Sequence, residues 1–157
     1  MAEVAAQAQA VILMHRGGDN PKTMQQAPAY KDVVGEVRTF LEERLEAFTR
    51  AGGDARKVWL DFGIGFGKDL GHNLSLIKHM DAFVAMGRPL VVGASRKSFL
   101  GRILVSAGTP AGASERLEGS LAVSCLAMLA GVKVLRVHDV KATRRVLETL
   151  AAVRAAH

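Results

Sequence analysis

The sequence predicts an α/β fold in which a short helix precedes four strand–helix units, all within one domain, residues 1–157. Three observations predict it: four short apolar runs, amphipathic segments between them, and turn residues at the junctions. Alternating strands and helices imply a parallel sheet with right-handed crossovers. A Rossmann-like sheet and half of a (β/α)8 barrel both fit this order. No G-x-G-x-x-G motif follows the first strand to favour a dinucleotide site.

The predicted strands are continuous apolar runs, which are typical of strands covered on both faces. They are VILMH, KVWLDF, PLVVGAS and VKVLRV, at 11–15, 57–62, 89–95 and 132–137. The Ala-rich stretch 2–9 before the first strand predicts a short helix. Residues 16–21, RGGDNP, have the composition of a loop.

Helical spacing of apolar residues predicts the segments between the strands. The first helix covers 30–50 and ends at Gly52, and the second contains Leu74, Ile77, Met80 and Phe83. The third covers 114–130, with Ser114 as its N-cap and Gly131 after its end. The last helix covers 140–156.

Composition excludes several classes of protein. Aromatic residues make up 5% of the chain and the net charge of +6 is scattered, so nucleic-acid binding has little support. Cys125, the one cysteine, lies in an apolar stretch, which favours a core position over a nucleophile and fits a reducing compartment. The sequence lacks a basic leader and a membrane-spanning run, so we expect a cytoplasmic protein without a membrane partner.

Polar residues follow each of the four predicted strands. In chain order they are His15, which follows the apolar Met14; Asp61; the SRKS stretch 95–98; and Arg136, His138 and Asp139. Because function in parallel α/β folds gathers at the C-terminal ends of the strands, these residues are the candidate site.

Asp61 directly follows an apolar run, so we expect its carboxylate to be partly buried and to need donors. Neighbouring backbone N–H groups could supply them. We favour a second reading, in which the carboxylate accepts two N–H groups of a flat heterocycle. Gly63, Gly65 and Gly67 are either turn residues or positions that let such a ring approach the backbone. Lys68 is interpreted as a solvated loop residue.

The other strand ends suggest an anion site. The SRKS stretch offers cations and hydroxyl groups, although an ordinary polar loop would look the same. Arg136 and His138 alternate along the last strand and so point to one face, next to the start of a helix. Pairing of Arg136 with a structural acid is the weaker alternative. His15 and His138 lack the spacing of metal ligands, and His72, His79 and His157 are expected at the surface.

Four of these motifs together resemble the C-terminal half of the dihydropteroate synthase family. They are LMH with RGGDNPKTMQ, LDFGIGFGKDLGHNL, VGASRKSFLG, and GSLA leading to LRVHDV. The resemblance implies a (β/α)8 barrel, of which this chain would be the last four units. It also implies an enzyme of folate biosynthesis that joins 6-hydroxymethyl-7,8-dihydropterin diphosphate to p-aminobenzoate with Mg²⁺, releases pyrophosphate, and is a sulfonamide target. The alternative is a non-enzymatic half-barrel that binds a pterin or an anion, or that assembles with a partner chain.

The resemblance also implies roles for individual residues. Those expected to bind the pterin are Met14, Asp61, Gly65, Lys97 and Arg136. Phe66, Lys97 and Ser98 would bind p-aminobenzoate, and Arg136 and His138 would hold the diphosphate. Lys97, Arg136 and His138 would be the catalytic residues. No metal ligand is assigned in this chain.

The sequence departs from the family in two places, and about half of the family pattern has no counterpart here. Phe62 stands where the family usually has proline, and the junction after His15 is one residue shorter than usual. The family's N-terminal half supplies the metal ligand, further pterin contacts and closing loops. We therefore expect residues 1–157 alone to be inactive and to self-associate. The expected partner is either a second copy, in a homodimer, or a complementing N-terminal half.

Overall fold

Four parallel strands in chain order form the sheet of this protein. The computed structural model describes residues 8–18, 29–106 and 108–156. The strands are β1 Val11–Met14, β2 Val58–Asp61, β3 Val91–Val92, β4 Val105–Ser106, β5 Thr109–Pro110 and β6 Val134–Leu135. The helices are α1 Val33–Arg50, α2 Leu70–Lys78, α3 Met80–Val84, α4 Ser98–Ile103, α5 Leu117–Leu129 and α6 Val140–Ala155.

Strand pairing confirms the predicted parallel arrangement. β1 pairs with β2 in a register that places Val11 opposite Val58 and Met14 opposite Asp61. A parallel bridge between Leu60 and Leu90 joins β2 to the start of β3, and β3 pairs with β6. The order β1–β2–β3–β6 therefore follows the chain, with only the short antiparallel hairpin β4–β5 inserted outside it.

One face of this sheet packs on the helices and forms the core. Leu41 of α1 and Val58 and Leu60 of β2 are fully buried there. On the other face, Ile12 and Met14 are 51% and 38% exposed. The alternation along β1 therefore leaves an apolar side of the strand uncovered by the residues that the structure describes.

Phe62 belongs to this core. Its side chain has no exposed surface, and its ring lies 5.2 Å from that of Phe83 in α3. Phe62 therefore packs between β2 and α3, which accounts for a large apolar residue at this position. Asp61, one residue earlier, keeps its place at the strand end.

The first and last predicted helices agree closely with the structure. Asp32 caps α1 by accepting from the amides of Val34 and Gly35, so the helix begins three residues after the predicted start. Gly52, just past its C-terminal end, has a φ of +85°, as a helix-ending glycine should. α6 covers the predicted closing segment apart from its last residue.

Two helix predictions were wrong in detail. The segment containing Leu74 and Phe83 breaks at His79 into α2 and α3, and Leu74 is exposed rather than in the core. Ser114 does not cap the next helix. It lies in a 3₁₀ turn, Ala113–Glu115, and α5 begins only at Leu117. The intervening Arg116 donates a hydrogen bond from its guanidinium to the Ala111 carbonyl.

The strands are shorter than their apolar runs suggest, and α4 and the hairpin were not predicted. Most of the predicted N-terminal helix, residues 1–7, falls outside the described residues, as does His157. Among the helices that the structure describes, none combines the length and apolar character required to cross a bilayer.

Candidate active site

The loops after the four parallel strands meet at one edge of the sheet, as the sequence predicts. Met14 and Asp61 lie opposite each other at the ends of β1 and β2. The hydroxyl of Ser95, after β3, accepts a hydrogen bond of 3.2 Å from the backbone N–H of His138, after β6. Residues far apart in sequence are therefore brought to a shared edge.

Asp61 is a buried carboxylate with one oxygen available. The residue is only 5% exposed, and its Oδ1 accepts a 2.7 Å hydrogen bond from the Gly63 amide. Burial raises the pKa of this carboxyl, against the lowering effects of that hydrogen bond and of the positive charges of Arg136, Lys97 and Lys68. No donor among the described residues reaches Oδ2. The carboxylate is thus held by one backbone group and remains free to accept from a ligand.

The glycine-rich loop, residues 62–67, packs mainly against the loop that follows β1. Gly63, Gly65 and Gly67 all have positive φ, which favours glycine. A Cβ on Gly63 would collide with the His15 carbonyl, and one on Gly67 would lie 2.6 Å from the Gly17 oxygen. At these two positions, packing against the loop after β1 is sufficient to require glycine, which agrees with the reading as turn residues. Gly65 instead faces Lys97, with its Cβ position 3.0 Å from Lys97 Cδ.

Lys68 is buried, contrary to the prediction of a solvated side chain. It is 3% exposed, and its Nζ lies 2.9 Å from His15 Nδ1, 3.0 Å from the Gly63 oxygen and 3.1 Å from the Phe66 oxygen. Burial is the main cause that lowers its pKa to about 7. Sequence reasoning missed it because its principal partner, His15, lies 53 positions earlier.

Lys97 faces the glycine-rich loop. Its Nζ lies 3.7 Å from the centroid of the Phe66 ring, a cation–π arrangement. Burial, followed by the nearby charge of Arg136, lowers its pKa, whereas Asp61 opposes the shift. Lys97 thus lies over the Phe66 ring and interacts electrostatically with the Asp61 carboxylate at the end of β2.

Arg96 does not offer a cation to a ligand, although the SRKS pattern suggested it. Its guanidinium makes two hydrogen bonds to Asp139, Nε to Oδ2 at 2.9 Å and Nη2 to Oδ1 at 2.6 Å. Its backbone has a φ of +56°, and it is fixed by Ser120 Oγ on its N–H and by Arg116 on its carbonyl. This residue, with a strained backbone and hydrogen bonds to its N–H, its carbonyl and its guanidinium, orients the loop that carries Lys97.

Ser98 is the first residue of α4 and is exposed. It lines a polar cavity of about 280 Å³ together with Gly65, Lys68, Asn73, Phe99 and Arg102. The Asn73 side chain accepts from the Gly65 amide at 2.7 Å, which fixes one wall of this cavity. Ser98 therefore lies beside the glycine-rich loop, next to Lys97.

Arg136 and His138 are both exposed at the end of β6. The Arg136 guanidinium lies over Gly93, where a Cβ would come within 2.6 Å of Nη2. Within the described part of the chain, it makes neither an ion pair nor a side-chain hydrogen bond, which disfavours a purely structural pairing. His138 Nδ1 lies 3.1 Å from Ser95 Oγ. A free guanidinium and an oriented imidazole thus stand beside the N-terminus of α6.

The comparisons with known proteins agree with this geometry. The family model described as "Pterin binding enzyme" matches residues 1–138. The chain belongs to the pterin-binding enzyme family. Within that family it is 47% identical over 133 residues to the dihydropteroate synthase of Escherichia coli strain K12, covering 85% of this chain and 45% of that protein.

Two further members of the pterin-binding family are informative. A solved structure of Xanthomonas albilineans dihydropteroate synthase with 4-aminobenzoic acid superposes with a TM-score of 0.88 at 38% identity, covering 99% of this chain and 54% of that one. A Mycobacterium leprae protein named inactive dihydropteroate synthase 2 is 39% identical, covering 98% of this chain and 53% of that protein. The chain spans about half the length of the curated relatives it matches.

The buried histidine of the site predicts a pH-dependent stability. Burial, and then the charge of Lys68, lower the pKa of His15 from 6.5 to about 4. Since the unfolded chain binds more protons between these values, the free energy of unfolding should rise from pH 4 to pH 6.5, by up to about 3 kcal/mol. His15→Gln should remove most of this rise.

Denaturant unfolding at a series of pH values measures the effect. His79→Gln, at an exposed histidine, is the matched control and should keep the wild-type slope. An identical slope in the His15→Gln protein would contradict the assignment.

Proposed function

We propose that the chain carries the C-terminal half of a (β/α)8 barrel that acts as a dihydropteroate synthase. The observation that carries the proposal is Asp61: a buried carboxylate with one oxygen free, beside Lys97 and Arg136. Such a group suits a neutral, flat ligand with adjacent N–H donors, and a pterin ring has that edge. The family match and the superposition on a 4-aminobenzoic acid complex support the substrate class.

Each substrate has candidate contacts in the proposed site. Asp61 accepts from the pterin N–H edge, while Met14, Gly65 and Lys97 line its pocket. Phe66, Lys97 and Ser98 line the p-aminobenzoate pocket, in which the Lys97 amino group over the Phe66 ring gives one charged and one apolar wall. Arg136 and His138 hold the diphosphate beside the N-terminus of α6.

The reaction is a substitution at the methylene carbon of the pterin. The C–O bond to the diphosphate breaks, and the electron pair leaves with the pyrophosphate oxygen. The amine nitrogen of p-aminobenzoate forms the new C–N bond and then loses a proton to water. Arg136 and His138 stabilise negative charge on the leaving group, and the Asp61 carboxylate stabilises positive charge on the pterin. The weakly basic amine needs positioning more than activation, and Phe66 and Lys97 provide it.

Magnesium remains a proposal. In the described ranges, no group of three or more His, Cys, Asp or Glu side chains is placed to hold a metal ion. The magnesium ligand is expected from the N-terminal half of the barrel, where a bound Mg²⁺ would add charge stabilisation of the leaving group to that of Arg136 and His138. His15 is occupied by Lys68 and buried, so a shared His15–His138 metal site does not fit the structure.

The completed barrel and its partner are also proposals. The exposed apolar residues Ile12 and Met14 lie on the sheet face opposite the helices, where the interior of a closed barrel would be. A complementing N-terminal half or a longer chain would cover this face, and a homodimer remains a further expectation.

A second candidate is a half-barrel that binds pterin or an anion without turnover. This second candidate is supported by the M. leprae relative named inactive, which aligns with almost all of this chain. The two candidates share their ligands and differ in pyrophosphate release.

One experiment separates them. Because the chain matches about half of its relatives, it is assayed alone and after refolding with the remaining segment of the E. coli relative; we call the second preparation the supplemented chain. We expect pterin binding and pyrophosphate release dependent on p-aminobenzoate from the supplemented chain. Binding of pterin or pyrophosphate without release would favour the second candidate, and the absence of binding of both ligands would contradict both candidates.

Arg136→Ala is expected to weaken binding of pyrophosphate by about 10- to 100-fold, because a charged donor to the anion is lost. Binding of 6-hydroxymethylpterin, which has no diphosphate, should change by less than about threefold. Titration calorimetry with the two ligands measures the difference, with Arg88→Ala before β3 as the control. Equal losses for both ligands would show that Arg136 does not act on the diphosphate.

A further inference from the structure

The buried amino group of Lys68 ties together two loops of the candidate site. Lys68 Nζ contacts the carbonyl oxygens of Gly63 and Phe66 in the glycine-rich loop and His15 Nδ1 in the loop after β1. The Phe66 carbonyl also accepts from the Gly17 amide at 3.3 Å. One amino group therefore closes the turn from Gly63 to Phe66 and fastens it to the end of β1.

These three contacts are satisfied in both protonation states of the amino group. An ammonium donates three hydrogens, to the two carbonyls and to Nδ1 of a neutral imidazole. A neutral amine donates two hydrogens to the carbonyls, and its lone pair accepts from the other tautomer, in which Nδ1 carries the proton. Loss of one proton to solvent, together with the change of imidazole tautomer, therefore breaks neither contact to the glycine-rich loop.

The loop held in this way carries Phe66, whose ring lies 3.7 Å from Lys97 Nζ. The backbone of Phe66 is fixed at both ends, since its amide donates to the Gly63 carbonyl at 3.1 Å and its carbonyl accepts from Lys68. We propose that Lys68 is a positioning residue, whose amino group holds the glycine-rich loop so that Phe66 lies beneath Lys97. Its importance for ligand binding rests on the proposed function, in which Phe66 and Lys97 line the p-aminobenzoate pocket.

The charged and titratable groups around Lys68 define the pH behaviour. They are His15 after β1, Asp61 at the end of β2 and Lys97 at the start of α4, with Glu36 of α1 acting on His15. Because both protonation states keep the carbonyl contacts, the position of the loop should not change as Lys68 titrates near pH 7. Removal of the amino group should displace the loop at every pH.

The test compares Lys68→Met with Lys78→Met, at an exposed lysine, in the ligand-free chain. NMR should show contacts between the Phe66 ring and the Lys97 side-chain methylenes in the wild type and in the control from pH 6 to pH 8. These contacts should disappear in Lys68→Met, while contacts between Phe62 and Phe83 in the core remain. Preserved Phe66–Lys97 contacts in Lys68→Met would overturn the proposal, as would their loss in the wild type above pH 7.

A chemical rescue separates the amino group from simple filling of space. In a Cys125→Ser background, Lys68→Cys is alkylated in denaturant with bromoethylamine, which rebuilds a lysine-like amine through a thioether, and is then refolded. The alkylated protein should regain the Phe66–Lys97 contacts that the unmodified variant lacks. The proposal fails if the unmodified variant keeps the Phe66–Lys97 contacts. It also fails if the alkylated variant has its core contacts but lacks the Phe66–Lys97 contacts.

Ligand binding gives the functional readout. In the supplemented chain, Lys68→Met should weaken p-aminobenzoate binding at least about tenfold, and Lys78→Met should leave it unchanged. An unchanged affinity in Lys68→Met would overturn the positioning role. A wild type that binds no p-aminobenzoate would instead contradict the proposed function, while the ligand-free NMR comparison would still decide the role of Lys68.

Discussion

Asp61→Asn is expected to weaken pterin binding by about 2–3 kcal/mol, or roughly 30- to 150-fold. Asparagine has the same shape, and its amide oxygen can still accept from the Gly63 amide. Its NH₂ group then takes the place of Oδ2 and faces the N–H donors of the ligand, so that two donors meet in a buried site. The loss arises from this mispairing and from removal of the negative charge beside Lys97 and Arg136.

The affinity for 6-hydroxymethylpterin is measured by titration calorimetry in the supplemented chain. Asp81→Asn, at an exposed position of α3, controls for the change of charge. Because burial raises the pKa of the Asp61 carboxyl, wild-type affinity should also fall with decreasing pH as this carboxyl takes up a proton. The Asp61→Asn protein should lack that dependence. An unchanged affinity in Asp61→Asn would show that this carboxylate does not hold the pterin.

The long elements and the location of the site could be predicted from the sequence because their signals are local. Apolar spacing identified α1 and α6, and Gly52 marked the end of α1. Continuous apolar runs identified the four parallel strands, and the polar residues after them indicated the functional edge. Parallel pairing alone then brings Met14 opposite Asp61.

The details that failed depend on contacts between distant segments. Lys68 follows a glycine-rich loop and looks solvated in sequence, yet His15 and two carbonyls bury it. Gly63 and Gly67 have positive φ, as turn glycines do, but their lack of a side chain makes room for the loop after β1. No local pattern shows which partner fills that room.

Arg96 illustrates the same limit for charge. A serine–arginine–lysine–serine stretch offers two cations, and only tertiary structure distinguishes them. Asp139, which lies 43 positions later, binds the guanidinium of Arg96 and leaves Lys97 as the cation that faces the site. The short helix α4 was missed because six residues do not establish a helical period.

Lys97→Ala is expected to damage both substrate sites at once. Its amino group lies over the Phe66 ring and interacts electrostatically with Arg136 and Asp61. Its removal therefore takes away a charge near the Asp61 carboxylate, which is proposed to bind the pterin, and one wall of the p-aminobenzoate pocket. In the supplemented chain, kcat/KM should fall by about 10²- to 10³-fold, as for loss of a preorganised charge in other enzymes. The Michaelis constant for p-aminobenzoate should rise, and pterin affinity should also decrease.

Steady-state assays of pyrophosphate release with each substrate varied measure these effects, with Lys133→Ala, at an exposed residue before β6, as the control. A double-mutant cycle with Phe66→Leu tests the contact itself. A coupling of about 0.5–2 kcal/mol in p-aminobenzoate binding is expected if the amino group and the ring act as a unit. A normal rate and a normal Michaelis constant for p-aminobenzoate in Lys97→Ala would refute the assignment. Additive effects in the cycle would show that Lys97 acts through its charge on Asp61 and the ligands, and that its contact with the Phe66 ring does not contribute.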